Sequence, residues 1–557
     1  MERSRLLRLL GASFLFLTTA AVVVWQNSRV GIVWDAAYIL ENSWRISLGE
    51  LPYRDFPFPY APLTYLLQAG IIVVTGRVFW HHIAYAAIAA GVASVFSFSI
   101  IETLLIRRRV PSPSLISFLL SLPLAFLGIY CIFPHPFYDP DCCLAILVSL
   151  WLLLRAGESP WWTVFAGLAI VVPIFVKQNI GLLYSAVAEA GLILQLLVTR
   201  KEEDARRWRQ NVLLSSWMAG AIALIVIQLT TGLKPYYRWT IEFAAERRLP
   251  PFAEQLQIYR DPLLWGWVAC ALAGIVVYHF GARARAALAT GVAALLITAP
   301  FLWIWYSYWN NESAVDSAYY LITLWPFVMI VAMVIVITST SWWRDRDSLV
   351  PLLLIVAIEG CFLSHSAEGS SYGIWPMLMI LIATLFPLAG RGRMASVAAA
   401  LISISLMVPA WFYMSGQQRL HYIDRAGEIV HSHSPALSGF SVAGPYLPDF
   451  DELLDFTRDH IPRNDALLCI PGEDLFYFAT GRHPQFPVLL FDHTVNPYSA
   501  AQIASLADGR KVRWLIIKKR LQIRGAPMTN EKATLALLRP RFRIVGDLRN
   551  YVVWKRM

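Results

Sequence analysis

The sequence predicts an all-α polytopic membrane protein of about thirteen transmembrane helices followed by a small α/β domain. Three observations carry that prediction. The 557 residues are 57% hydrophobic and only 15% charged, with a mean hydropathy of +0.53, so there are too few charges to cover a water-facing surface and the bilayer is the main solvent. Apolar runs long enough to cross a membrane recur through the first 414 residues. Beyond Met414 short strand-like runs alternate with amphipathic stretches.

The start, MERSRLLRLL followed by GASFLFLTTAAVVVW, has the charge pattern of a signal peptide. Its apolar run is long and no small-x-small cleavage site follows, so it reads as a retained first span with a cytoplasmic N-terminus. Further crossing runs lie near 83–106, 113–133, 138–154, 160–176, 180–199, 212–231, 263–280, 286–305, 319–338, 349–363, 372–390 and 394–414. The run at 62–76, PLTYLLQAGIIVVTG, is short for a crossing and is expected to lie along the interface, inside a first outer loop at 27–82. Basic residues support that choice. With 62–76 lying flat, the loops holding Arg107–Arg109, Arg200–Arg209, Arg283/Arg285, Arg344/Arg346 and Arg391/Arg393 all face the cytoplasm, whereas a crossing there inverts every one of them. The expected division is a transmembrane domain at 1–414 and a soluble α/β domain at 415–557 on the outer face. In the latter, strands are expected at 466–471, 488–491, 512–519, 542–548 and 551–554, and a helix at 449–461.

Composition also narrows function. The net charge of +10 is scattered in short clusters between apolar runs, a pattern of membrane orientation and not of nucleic-acid binding. The six cysteines show no CxxC spacing, and five lie in or beside apolar runs where Cys acts as a small hydrophobe. No GxGxxG or P-loop is present, so a nucleotide site has no motif support.

The most chemically varied stretch is Gly31–Gln68, GIVWDAAYILENSWRISLGELPYRDFPFPYAPLTYLLQ, which directly follows the first span and is read as loop instead of a second helix. Asp35 lies one or two turns beyond the span, and Tyr53 and Asp55 follow as candidate substrate contacts. A second outer loop, FPHPFYDPDCC, places Asp139 and Asp141 at the head of the fourth span. Lys177 interrupts IVVPIFVKQNIGLLYSA at the outer end of the fifth. Each alone has a plain reading: a solvated acid, a helix cap, or a lysine snorkelling to the interface. On one face together, they point to a shared cleft in which carboxylates and a cation meet an anionic substrate. The outer loop at 234–260 breaks the orientation rule with Lys234, Arg238, Arg247, Arg248 and Arg260, so Arg238, Arg247 and Arg248 join the substrate-binding candidates. His365, Glu368 and Tyr372 in SHSAEGSSYG, and the amide-rich loop at 306–320, are further outer-face candidates. Asp139 and Asp141 are candidate oxygen ligands for Mg²⁺ or Mn²⁺, and His135 beside them favours a transition metal.

These motifs resemble those of the GT-C superfamily of integral membrane glycosyltransferases, in particular the lipid A aminoarabinose transferases and protein O-mannosyltransferases. The likeness is carried by WDAAYILENSWRISLGELPY, the aromatic-proline entry PFPYAPLTYLLQA, the acid-Pro element FYDPDCCLAIL and the lysine-bearing break FVKQNIGLLY. It implies a bacterial cytoplasmic-membrane enzyme that moves a sugar, with inversion, from a polyprenyl-phosphate carrier to a glycolipid, glycan or protein. It further implies that Asp35 is the catalytic base, Asp139 or Asp141 the second-loop acid, and Lys177 the cation near the carrier phosphate. Two departures stand out: Asp35 is followed by Ala36 where many relatives have a second acid, and Tyr60-Ala61-Pro62 stands where the aminoarabinose transferases carry a lysine. The rival class is a transporter, because Glu102, Glu189 and Glu359 fall inside expected spans, where ionisable groups mark ion or proton routes.

Overall fold

The computed structural model describes residues 2–27, 33–199, 203–281, 286–310, 314–338, 346–363, 373–386, 393–416, 427–522 and 531–557. The first part is helical: α1 (Glu2–Asn27), α2 (Val33–Ser47), α3 (Leu63–Thr75), α4 (Phe79–Arg107), α5 (Pro113–Ser121), α6 (Tyr138–Arg155), α7 (Pro160–Val176), α8 (Gln178–Val198) and α9 (Glu203–Thr230). A broken segment follows, made of α10 (Leu233–Tyr237), a π-helical turn at Arg238–Glu242, α11 (Phe243–Arg248) and α12 (Phe252–Gln255). The helices α13 (Pro262–Gly281), α14 (Ala286–Asn310), α15 (Ala314–Thr338), α16 (Leu349–Phe362), α17 (Trp375–Leu385) and α18 (Arg393–Gly416) complete it.

Among the described residues, five helices are long and apolar enough to cross a membrane: Leu6–Asn27, Phe79–Arg107, Gln178–Val198, Arg206–Thr230 and Ala395–Met414. They leave large apolar side chains uncovered, such as Leu10, Phe14 and Leu17 on α1 and Trp217, Ile222 and Leu229 on α9. Water would not tolerate so broad an apolar surface, and lipid does. The chain is a multi-pass membrane protein.

Two sequence expectations in the helical part need correction. Residues 33–47 form a helix where a loop is expected. VWDAAYILENSWRIS has an apolar face, and Val33, Ala37 and Leu40 bury it against the C-terminal region, so tertiary packing supplies the driving force for a helix this short. The run at 113–133 is not one helix either. Pro123 lacks the N–H that would continue α5, which gives way to a 3₁₀ turn at Leu122–Ala125; Cys131, Ile132 and Phe133 then pass through the core without regular structure.

The helix ends sort into two groups. At one end Arg107 pairs with Asp347, Arg108 donates to the Thr384 carbonyl at 2.9 Å, Arg8 pairs with Glu102 at 2.7 Å, and Gly157 abuts Trp208. At the other, Gln178 donates to the carbonyls of Pro59 (3.2 Å) and Thr240 (2.9 Å).

The C-terminal region joins this second group. It holds an antiparallel pair, β1 (Ile429–His431) and β2 (Ser441–Ala443), and a four-stranded sheet in the order β3-β4-β6-β5. In that sheet β3 (Leu467–Ile470) runs parallel to β4 (Trp514–Lys518), while β6 (Tyr551–Arg556) is antiparallel to both β4 and β5 (Phe542–Asp547). The helices α19 (Tyr446–His460), α20 (Phe476–Thr480), α21 (Ala500–Gly509) and α22 (Glu531–Leu538) accompany it. The run at 488–491 is buried chain and not a strand: Phe491 N–H reaches the Pro471 carbonyl at 2.9 Å. The Leu489 carbonyl lies 1.7 Å from where a Cβ on Gly472 (φ +82°) would stand, so only glycine fits there.

One core cluster spans both parts, joining Val33, Leu40, Phe79 and Ile83 to Leu437, Phe450, Phe476 and Phe478. Polar contacts reinforce it. Trp44 Nε1 donates to the Arg482 carbonyl (2.9 Å), Arg45 Nη1 to the Pro487 carbonyl (3.0 Å) and Arg77 Nη1 to the carbonyls of Phe478 and Ala479. Glu41 accepts from Phe478 N–H at 3.0 Å. Within the sheet region Lys518 is buried between Glu473 (2.6 Å) and Asp474 (2.7 Å), and Asp474 also accepts from the hydroxyls of Tyr446 and Tyr551.

Candidate functional site

Lys177 is a single extended residue (φ −148°, ψ 111°) between α7 and α8. The hairpin it makes is tight: a Cβ on Gly181 would lie 2.2 Å from the Pro173 backbone. The break directs the ammonium to Asp139 in the first turn of α6, with which it forms a buried ion pair. The ammonium also lies 5.1 Å from the Tyr138 ring centre, a cation–π contact, and Cys361 Sγ stands 3.8 Å from the Asp139 carboxylate. A buried pair of this kind holds together because either charge alone would be left desolvated.

Beside the pair is a cavity of about 150 Å³ lined mainly by apolar groups. Tyr60, Tyr138, Lys177, Gln178, Thr240 and Leu363 are among its walls. Gln178 bridges the chain between α2 and α3 to the π-helical turn, and this fixes the width of the cleft. Such turns, with their displaced backbone, recur at functional sites. Sequence reasoning singled out Lys177 and missed Tyr60, Tyr138, Gln178 and Thr240. The signals available were the aromatic-proline run and the residue after the lysine break.

Asp141 is two residues from Asp139 and serves differently. Its Oδ1 accepts from Tyr85 (2.7 Å) and Tyr130, and its Oδ2 from Thr64 (2.7 Å). It therefore ties α6 to α3, α4 and the chain after α5. Asp139 is thus bound to Lys177, and Asp141 accepts from three hydroxyls. Among the described residues no group of three or more His, Cys, Asp or Glu is placed to hold a metal. His135 is buried, its Nδ1 2.9 Å from the Pro136 carbonyl, and burial pushes its pKa down to about 4.

Asp35 lies half-buried in the first turn of α2. One turn on, Tyr38 packs on Tyr60 (ring centres 5.4 Å apart), and Tyr60 packs on Tyr138 (4.7 Å). Residues three apart share a helix face, so Asp35 is on the side of α2 that leads through these rings to Lys177. Tyr53 and Asp55 shape their own loop. Tyr53 has φ +70° and donates to the Tyr60 carbonyl at 2.6 Å, and its ring meets Tyr236 at 5.0 Å; burial holds its phenol well above the usual range. Asp55 accepts from Leu51 N–H at 2.7 Å, and the Arg54 guanidinium holds its carboxyl below the usual range.

Arg238 and Arg247 are exposed and lie over Trp239 (5.3 Å) and Phe243 (5.5 Å). Arg248 closes α11, its side chain outside the described residues, as are His365, Glu368 and Tyr372. The three acids that favour a transporter are all partnered. Glu102 accepts from Arg8 and Ser114, Glu189 from Ser216 (2.6 Å) and Trp217 (3.3 Å), and Glu359 from Tyr259.

No protein-family model and no curated protein matches the sequence. Among solved structures, the chain is similar to ArnT from Cupriavidus metallidurans in the apo state, at 14% identity and a TM-score of 0.48, covering 97% of each chain. The same enzyme bound to undecaprenyl phosphate is similar at 12% identity, with a TM-score of 0.45 and 97% of each chain covered. The Archaeoglobus fulgidus oligosaccharyltransferase in the apo form is similar at 10% identity and a TM-score of 0.46, over 92% of this chain and 69% of that one.

Proposed function

We propose that the chain is an inverting glycosyltransferase that takes a sugar from a polyprenyl-phosphate carrier at the outer face of the cytoplasmic membrane. The observation that carries this reading is the buried Lys177–Asp139 pair beside an apolar cavity at a helix break. A lysine in such surroundings suits a lipid-borne phosphate: the cation meets the headgroup while apolar walls receive the first isoprene units. In this reading the thirteen-span topology with cytoplasmic N-terminus and external C-terminal region places the cleft on the outer side.

The chemistry needs two groups. An acceptor hydroxyl or amine attacks the anomeric carbon, and the carbon–oxygen bond to phosphate breaks with its electron pair leaving on the carrier phosphate. The acceptor proton passes to a carboxylate, the role assigned to Asp35. Lys177 offsets charge on the departing phosphate, the role also assigned to Arg238 and Arg247 of the neighbouring segment. The acceptor is a glycolipid, glycan or protein, and comparing surface glycans by mass spectrometry in cells with and without the chain identifies it. Asp35→Asn is expected to lower transfer from a polyprenyl-phosphate-linked sugar by about 10²–10⁴-fold while carrier binding persists. Unchanged turnover in that variant would remove Asp35 as the base.

A further inference from the structure

A second cleft lies away from Lys177, where the α3–α4 turn meets the end of α19. It is open, with a volume of about 720 Å³, and Arg77, Arg463, Arg482, His433, His460 and Thr457 are among its walls. We infer that this cleft is an anion site for the phosphoryl headgroup of a membrane lipid, separate from the carrier cavity and independent of the transferase reading.

The argument begins with charge. Three arginines gather at one wall. Arg482 is buried and spends its donors on the carbonyls of Pro462 (2.7 Å), Thr457 (3.3 Å) and Ile461, capping α19. Arg77 is held by the Phe478 and Ala479 carbonyls and stacks 4.9 Å from the Trp44 ring centre. Arg463 is exposed and donates no hydrogen bond among the described residues, yet it stands close enough to repel both others. Burial first, and Arg463 second, lower the pKa of Arg77 and of Arg482.

The acids of the cleft are already partnered, two of them by a fourth arginine of its wall, Arg458. Asp451 accepts from Ser432 Oγ (2.6 Å) and His433 N–H (3.0 Å), while Asp455 and Asp459 both pair with Arg458. Thr457, a wall residue 1% exposed, keeps a buried hydroxyl with no partner among the described residues. Arg77 has Glu41 and Arg482 has Asp465 as attracting acids, whereas Arg463 adds a cation with no acid paired to it among the described residues, and such a cluster is complementary to a tetrahedral oxyanion.

The source of the anion follows from location. Arg77 comes two residues after α3, whose Leu66, Leu67, Val73 and Val74 are exposed, Val74 at 83%. An apolar helix face left uncovered next to a basic cluster is the arrangement of an interfacial helix, with its apolar side among acyl chains and its cations at headgroup level.

The test uses the full-length protein in nanodiscs of phosphatidylcholine mixed with phosphatidylglycerol, with retained lipid counted by native mass spectrometry. Arg463→Glu is expected to retain phosphatidylglycerol about tenfold less than the parent, a difference of about 1.4 kcal/mol, and Arg463→Lys to retain most of it. Arg463 is exposed, so unchanged thermal unfolding of both variants verifies that they fold. Equal phosphatidylglycerol retention in parent and Arg463→Glu would overturn the site. Arg463-dependent binding of inorganic phosphate, without any preference for phosphatidylglycerol over phosphatidylcholine, would overturn the lipid as its source.

Discussion

Replacing Lys177 by methionine separates what the buried ion pair does for the fold from what it does for a ligand. The side chains of Lys177 and Asp139 are 9% and 3% exposed, and the Asp139 carboxylate also accepts a hydrogen bond from the weak Cys361 thiol at 3.8 Å. Methionine keeps the apolar stem and deletes the charge, leaving Asp139 desolvated and uncompensated, which costs about 3–5 kcal/mol in such sites. Asp139→Asn strands the lysine in the same way. The double variant removes both charges and is expected to recover most of the loss, a coupling of about 3 kcal/mol by double-mutant cycle. Ligand binding separates the two partners by sign. Lys177→Met is expected to bind a polyprenyl phosphate about tenfold more weakly, and Asp139→Asn, whose lysine has lost its competitor, about tenfold more tightly, each about 1.4 kcal/mol. Denaturant unfolding in mixed micelles reads the first quantity and titration with the carrier the second. A double variant no more stable than the weaker single would refute the unpaired-charge account. Equal carrier affinity in all four proteins would refute a phosphate at Lys177.

Two further outcomes follow from α2 and α8. Burial holds the Glu41 carboxyl well above its ordinary value near 4.5, so the folded state binds its proton more tightly than the unfolded one. Its contribution to stability is complete below about pH 4.5 and is lost as pH rises through the raised folded value. Glu41→Gln should flatten that decline in thermal unfolding measured across pH, and an identical pH slope in both proteins would contradict it. Gly181→Ala forces a Cβ to within 2.2 Å of the Pro173 backbone, and overpacking of this kind costs about 1–3 kcal/mol. A melting temperature equal to the parent's would show that the α7–α8 hairpin yields more readily than its geometry implies.

Much of this arrangement is legible in the sequence, for specific reasons. A lysine inside an apolar run has few places to go, and the helix does break at Lys177. The short run near 62–76 becomes α3, thirteen residues with one face exposed. What sequence reasoning loses depends on distant chain. Helix α2 looks like loop because its apolar face is completed by Leu437, Phe450 and Phe478, some four hundred residues away. Asp139 and Asp141 look equivalent in FYDPDCC, but two residues along a helix turn them to different sides. One meets Lys177 and the other meets three hydroxyls. The run at 488–491 has strand composition without a neighbouring strand to pair with, and it is buried by Gly472 and Pro471 instead.

The seam between the α2–α4 stretch and the C-terminal region is written asymmetrically. Trp44, Arg45, Arg77 and Glu41 contribute side chains, whereas 478–487 answers mostly with peptide groups. Peptide groups survive almost any replacement of the residue that bears them. The backbone of 478–487 thus seats the segment, while its side chains serve its own side of the seam: Phe478 fills the shared core and Arg482 caps α19. The side-chain half of the seam therefore rests on Glu41, Trp44 and Arg45 of α2, the helix that carries the proposed base, and on Arg77 just after α3.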